Sequence, residues 1–158
     1  MAGAQVIITF DGRAALAAIR NAAALMEAPA VMLADIGEEL LVSTRARAAA
    51  EVDPAGLPWA PLSPRYARRK AKLRPGLPTL KFDNHLLGDR LVYQVNGPEL
   101  AVGTSGPYAA AQQFGRPEAN LPARPFLGLS EEDNAAVLRI TAKHLLDAIR
   151  GSTAQNAL

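Results

Sequence analysis

The stretch LVYQVNGPELAVGT, residues 91–104, decides the fold class. Arg90–Asn96 and Leu100–Thr104 are rich in β-branched and aromatic residues and flank Asn96-Gly97-Pro98-Glu99, a turn signal, so they read as an antiparallel hairpin. The second strand ends at Gly103 or Thr104. Everything long on either side of this hairpin has helical periodicity, so the fold expected is α+β. It is a small antiparallel sheet packed by a long N-terminal helix, or kinked helix pair, and by a C-terminal helix, with an extended basic loop or arm.

Upstream, Gln5–Phe10 reads as a first strand through Val6, Ile7, Ile8 and Thr9, and Asp11 is placed to cap a helix from Gly12. Leu16, Ile19, Ala23 and Met26 recur at spacings of three, four and three, an apolar stripe on a helix from Arg13 to Glu27. Pro29 disfavours helix at Ala28 and suits the first turn of a second helix, Ala30–Val52, with Leu33, Ile36, Leu40 and Thr44 on one face.

Asp53-Pro54-Ala55-Gly56 is a turn, and beyond it the chain becomes irregular and basic. Between Ser63 and Lys81 stand Arg65, Arg68, Arg69, Lys70, Lys72, Arg74 and Lys81 with no acidic residue, leaving ten basic against fifteen acidic residues elsewhere. Ser63-Pro64 is a cap followed by proline at the first helical position, so Pro64–Leu73 is a short basic helix stopped by Pro75-Gly76. Thr79–Gly88 reads as a further short helix. Trp59, between Pro58 and Pro61, cannot sit in a regular helix and either plugs the domain or docks on an adjacent subunit.

Downstream, Pro107–Phe114 reads as a helix stopped by Gly115, and Phe126–Leu129 as an apolar segment that pairs with or packs on the sheet. Ser130–Asp133 matches the S-x-x-[DE] start signal. The last helix carries Val137, Ile140, Thr141, His144, Leu145 and Ala148 on one side and is stopped by Gly151, which leaves 152–158 as a flexible tail.

The 158 residues suit one domain, 1–150, with 53–81 as its basic arm. The chain is 49% hydrophobic but much of that is alanine, and only 5% is aromatic, so the core is thin and packing against another chain would add stability. The absence of cysteine removes disulfides, thiolate metal sites and cysteine nucleophiles, and suits a reducing compartment. A net charge of +2 calls for no partner by itself. The N-terminus has no basic n-region, and Val6–Phe10 is too short for a signal peptide or a membrane span, so neither export nor a membrane partner is expected.

Catalytic chemistry finds no foothold. Asp83, His85 and Asp89 are close in sequence, but Asp83 serves equally to cap a turn and His85 to fill a surface position. His144 falls on the apolar side of the last helix, as a core-edge histidine does. Glu38-Glu39 and Glu131-Glu132 are adjacent pairs that diverge on a helix and make no carboxylate dyad. No phosphate loop, G-x-S-x-G elbow or H-E-x-x-H helix occurs. The expectation is a chain that is not an enzyme and needs no cofactor or metal.

The distinctive blocks are G-x-x-W-x-P-L-S (Gly56 to Ser63), R-x-x-R-R-K (Arg65 to Lys70), V-G-T…P-Y-A…Q-F-G (Val102 to Gly115) and P-A-R-P-F-L-G-L-S (Pro122 to Ser130). In this order they resemble the phage virion morphogenesis, or tail-completion, family, whose members include the Mu-type G protein. The resemblance runs from Leu40 to Ile149, and its last block is the most specific. Where such proteins often show T-G-x-L before the hairpin, this chain has Phe82-Asp83-Asn84-His85-Leu86.

The resemblance implies a non-enzymatic virion component at the head–tail junction, assembled in the host cytoplasm as a hexameric ring that completes the tail and supports head attachment. A tail terminator and a head-side connector are alternatives within that class. Its partners would be further copies of itself, tail tube and head–tail connector proteins, and genomic DNA touched without sequence preference in a channel. Trp59, Arg65, Arg68, Arg69, Lys70, Arg124 and Phe126 are the expected subunit contacts, with Phe126 read equally as core and Arg124 as a surface charge. A DNA-binding module working through residues 63–81 is the rival of another class, with Arg68, Arg69, Lys70 and Lys72 facing the DNA.

Overall fold

The computed structural model describes residues 12–81 and 85–155. The strand expected over Gln5–Phe10, the Asp11 cap and Phe82, Asp83 and Asn84 lie outside them.

Helices α1 (Gly12–Glu27) and α2 (Ala30–Ala50) meet at an angle of 59° at Pro29, whose missing N–H and bulky ring interrupt the helical ladder. The N-terminal helical region is therefore a kinked pair. Helix α2 stops two residues earlier than its sequence pattern suggests. Glu51 turns left-handed (φ 59°) and its N–H bonds Ala48 O, while the Val52 N–H reaches back to Arg47 O, closing the carbonyls of the last turn. Val52 then bridges Pro58 across the 53–57 turn, whose Asp53 carboxylate accepts from the Ala55 and Leu57 N–H groups.

Strands β1 (Leu91–Asn96) and β2 (Glu99–Thr104) pair antiparallel from Leu91↔Thr104 to Asn96↔Glu99, so the loop is only Gly97-Pro98, with Gly97 at the positive φ that tight hairpins need. Leu91, Tyr93 and Val95 face α2. Gly37 of α2 permits the approach, since a Cβ there would stand 2.5 Å from Tyr93 Cγ.

Helix α5 (Glu131–Gln155) lies antiparallel to the kinked pair: Asp133 meets Arg47, Arg139 meets Glu39 at 3.8 Å, His144 meets Asp35 at 2.8 Å, and Ala148 O accepts from Asn21. Its start is a complete capping box, Asp133 N–H to Ser130 Oγ and Ser130 N–H to Asp133 Oδ2. The other Asp133 oxygen accepts from Ser43 Oγ. Burial by itself would raise the Asp133 pKa, but the Ser130 N–H, the Ser43 hydroxyl and Arg47 outweigh it and hold the carboxyl below the ordinary aspartate value.

Two apolar clusters fill the interior. Met32, Ile36 and Leu40 of α2 pack with Leu100 and Val102 of β2 and Val137 and Ile140 of α5. Ala48, Trp59, Leu86, Leu87 and Phe126 form the second.

Four expectations need correction, and one is narrowed. The α1 stripe faces outward, with Leu16, Ile19 and Met26 at 49%, 66% and 47% exposure, because α1 turns Ala18, Ala22 and Leu25 inward as it packs on α5. Of the short helix expected over Thr79–Gly88, the described residues show a turn at Thr79-Leu80 and a π-helical turn, His85–Asp89. The helix expected from Pro107 begins at Ala109, giving α4 (Ala109–Phe114). Of the two outcomes open to Phe126–Leu129, the segment packs instead of pairing: Leu127 and Leu129 flank a groove shared with Leu100 and Val102 of β2. Gly151 does not stop α5, which continues to Gln155, so the cost of one glycine does not end the helix.

Candidate assembly site: a stapled basic arm

Residues 60–80 leave the domain and return to it, carrying helix α3 (Pro64–Leu73) at their centre. Ser63 caps α3 by accepting from the Tyr66 N–H at 3.4 Å, Pro64 fills its first turn, and the Arg74 N–H closes its end on Lys70 O.

Each end of the arm is fastened. At the outgoing end Trp59 is buried with its indole N–H donating to Pro125 O at 2.7 Å, and its backbone N–H donates to Glu51 O. Arg124, only 3% exposed, donates from Nε to Ala60 O (2.8 Å) and from Nη2 to Pro61 O (2.9 Å). At the returning end the Thr79 N–H donates to the Glu51 carboxylate. Lys70, 4% exposed, folds back from α3 and donates to Pro78 O and to Thr79 O, the latter at 3.1 Å. Burial holds its ammonium below the ordinary lysine pKa, with the Glu51 carboxylate opposing.

The seven residues expected to meet a neighbouring subunit thus divide by position. Trp59, Lys70, Arg124 and Phe126 are buried within the chain's own fold, Phe126 at the centre of the second cluster. Of the two readings of Arg124, the surface charge is corrected by its burial: the side chain is an internal clamp on the arm. Arg65, Arg68 and Arg69 are exposed, and with Lys72 they occupy positions i, i+3, i+4 and i+7, one outward face of α3 opposite Lys70. Tyr66 borders this face, 41% exposed. That spacing is legible in the sequence, and it separates Lys70 from its neighbours.

Two anchoring residues carried no such signal. Glu51 acts both as the left-handed cap of α2 and as the acceptor at the arm's return. Gln113 reads the backbone of the P-F-L block like a strand partner: its Oε1 accepts from the Phe126 and Leu127 N–H groups at 3.0 Å each, and its Nε2 donates to Leu127 O. Gly115 lets this loop close, at φ 75° with a Cβ position 2.8 Å from Ala123 N.

His144 is largely buried beside Asp35; Glu38 hydrogen-bonds the Tyr93 phenol while Glu39 turns to Arg139, so the pair does diverge. Among the described residues no group of three His, Asp or Glu side chains is placed to hold a metal ion, and no single helix is long and apolar enough to cross a membrane.

The fold and this site define an α+β protein whose concentrated charge is displayed on an arm that its own core fastens down. The chain belongs to the phage virion morphogenesis family, whose model matches residues 10–146. It is similar to the Mu-like prophage FluMu G protein 2 of Haemophilus influenzae, with 38% identity over 79 residues. That match covers 47% of this chain and 56% of the relative, so it spans about half the length of each. No solved structure matches the chain significantly. The resemblance read from the W-x-P-L-S and P-A-R-P-F-L-G-L-S blocks therefore holds, and with it a place among proteins of virion morphogenesis.

Proposed function

We propose that this chain is a non-enzymatic structural subunit at the head–tail junction of a tailed phage, incorporated in the virion after assembly in the host cytoplasm. Copies form a ring, expected to be hexameric, that completes the tail and supports head attachment. The observation that carries this reading is the arm: four exposed cations on one face of α3, on a loop clamped at both ends by Arg124, Trp59, Glu51 and Lys70. A preorganised arm lowers the ordering cost of association, and the acidic surplus of the rest of the chain supplies its complement on the next copy. Tail tube and connector proteins are the further partners of such a ring, whether it sits as a tail-completion, terminator or head-side connector component.

The test is reversal of Arg65, Arg68, Arg69 and Lys72 to Glu, followed by native mass spectrometry and particle imaging. Loss of rings and of tail completion with an unchanged melting temperature is expected; rings that persist would remove the arm from the interface. The exposed Tyr66 beside the cations favours one second reading, contact with DNA. A salt titration with duplex DNA separates the two, since tight binding that weakens steeply with salt in a protein that stays monomeric would favour the DNA module.

A further inference from the structure

The face of α1 that the sequence assigns to the interior is bare, and it is not bare alone. Helix α1 packs on α5 and makes no substantial contact with any other described element. Ala18, Ala22 and Leu25 meet α5, while Leu16, Ile19, Ala23 and Met26 fall within about 80° of arc on the flank, at 100° per residue. On the facing half of α5, Leu145 and Ile149 stand about a quarter turn from the contact line through Ala148. The helices run antiparallel, so the two displacements have opposite senses and bring both stripes to the same side of the pair. Asn21, Lys143 and Asp147 occupy the other side. The α1/α5 extension is thus a two-helix layer, apolar on one side and polar on the other, and among the described residues no second layer packs against its apolar side.

We infer that a second copy of this chain supplies that layer, the two α1/α5 faces packing against each other about a two-fold axis. Three features select this occupant. The face fits the size: 16 residues of α1 span about 24 Å, and two helices about 9 Å apart give a width of about 20 Å, so a pair covers about 1,000 Å², the lower bound of a specific interface. Ala23 leaves a shallow gap between the larger Ile19 and Met26 into which an opposing side chain packs. The charges match themselves, because Arg20 and Glu27 are exposed on one edge of the stripe seven residues apart. An antiparallel copy centred between Ala23 and Ala24 sets each Arg20 against the other copy's Glu27, twice per pair.

This contact rests on the self-association reading above but uses a different surface from the arm, so the two separate experimentally. Sedimentation of the full chain should give an even number of 16.7 kDa subunits. Ile19→Glu should lower that mass by half with unchanged far-UV circular dichroism. Arg20→Glu and Glu27→Arg should each weaken pairing, and the double variant should restore it, which covers the case of Ile19→Glu failing to fold. A monomeric wild type, an unchanged mass for Ile19→Glu, or no recovery in the charge swap would overturn the inference. The arm-reversed protein should lose rings yet keep pairs, and folded Ile19→Glu protein should lose pairing yet keep rings; pairing that persists in folded Ile19→Glu protein refutes this contact alone.

Discussion

Replacing Arg124 with Met tests whether the arm is held by the core. The guanidinium makes two charge-assisted hydrogen bonds to the arm, to Ala60 O at 2.8 Å and Pro61 O at 2.9 Å, besides a longer one to Gln112 Oε1 at 3.5 Å, and methionine fills most of the space while making none of them. A hydrogen bond from a charged group contributes about 1.5–3 kcal/mol, so after partial rehydration of the two carbonyls the loss is about 3 kcal/mol. Because both carbonyls belong to the arm's outgoing end, the loss falls on local opening of residues 60–80 before it falls on global unfolding. At about 1.4 kcal/mol per tenfold, the open population rises about 100-fold. Limited trypsin digestion reads this directly, since the arm carries Arg65, Arg68, Arg69 and Lys72, and cleavage there should accelerate by a comparable factor under conditions where opening precedes cleavage. Arg124→Lys should recover only part of the effect, because an ammonium lacks the planar fork that spans two successive carbonyls. A cleavage rate in Arg124→Met equal to wild type would refute the clamp.

Two further expectations concern the domain itself. The Asp133 carboxyl is held below its unfolded value of about 3.9, so its contribution is fully present above that pH and disappears as pH falls through the folded value. Asp133→Asn should therefore cost about 3 kcal/mol at pH 7 by leaving Arg47 without its buried partner, and should flatten the loss of stability seen below about pH 4 in denaturant titrations. Gly37→Ala gains about 1 kcal/mol of helix propensity, yet its Cβ meets the Tyr93 ring at 2.5 Å, and overpacking of about 1–3 kcal/mol makes the change destabilising in thermal melts. Combining it with Tyr93→Leu should remove that penalty, and an additive double variant would count against the contact.

Local signals named most of the elements because local chemistry formed them. Ser63-Pro64 places the start of α3, Pro29 the kink and Ser130–Asp133 the start of α5, and each acts within one turn of the residue that carries it. The same locality explains the failures. The Leu16–Met26 stripe is a sound helical period, but α1 has a second, alanine-lined face, and which of the two turns inward depends on α5, more than a hundred residues away. The arm's cations, and the helical spacing that sets Lys70 apart from the rest, are legible in residue order, whereas the burial of Lys70 needed the returning Pro78 and Thr79 carbonyls.

The sequence by itself determined the helices, the hairpin, the charge concentrated in residues 63–81 and the family, since these reside in residue order and in interactions a few positions long. Only the tertiary structure decided that Trp59, Lys70, Arg124 and Phe126 face inward while Arg65, Arg68, Arg69 and Lys72 face outward. A side chain's surroundings are set by segments that meet across long loops. Arg124 shows the reason most plainly: its partners are backbone carbonyls at Ala60 and Pro61, groups that every residue carries and that no sequence pattern can mark.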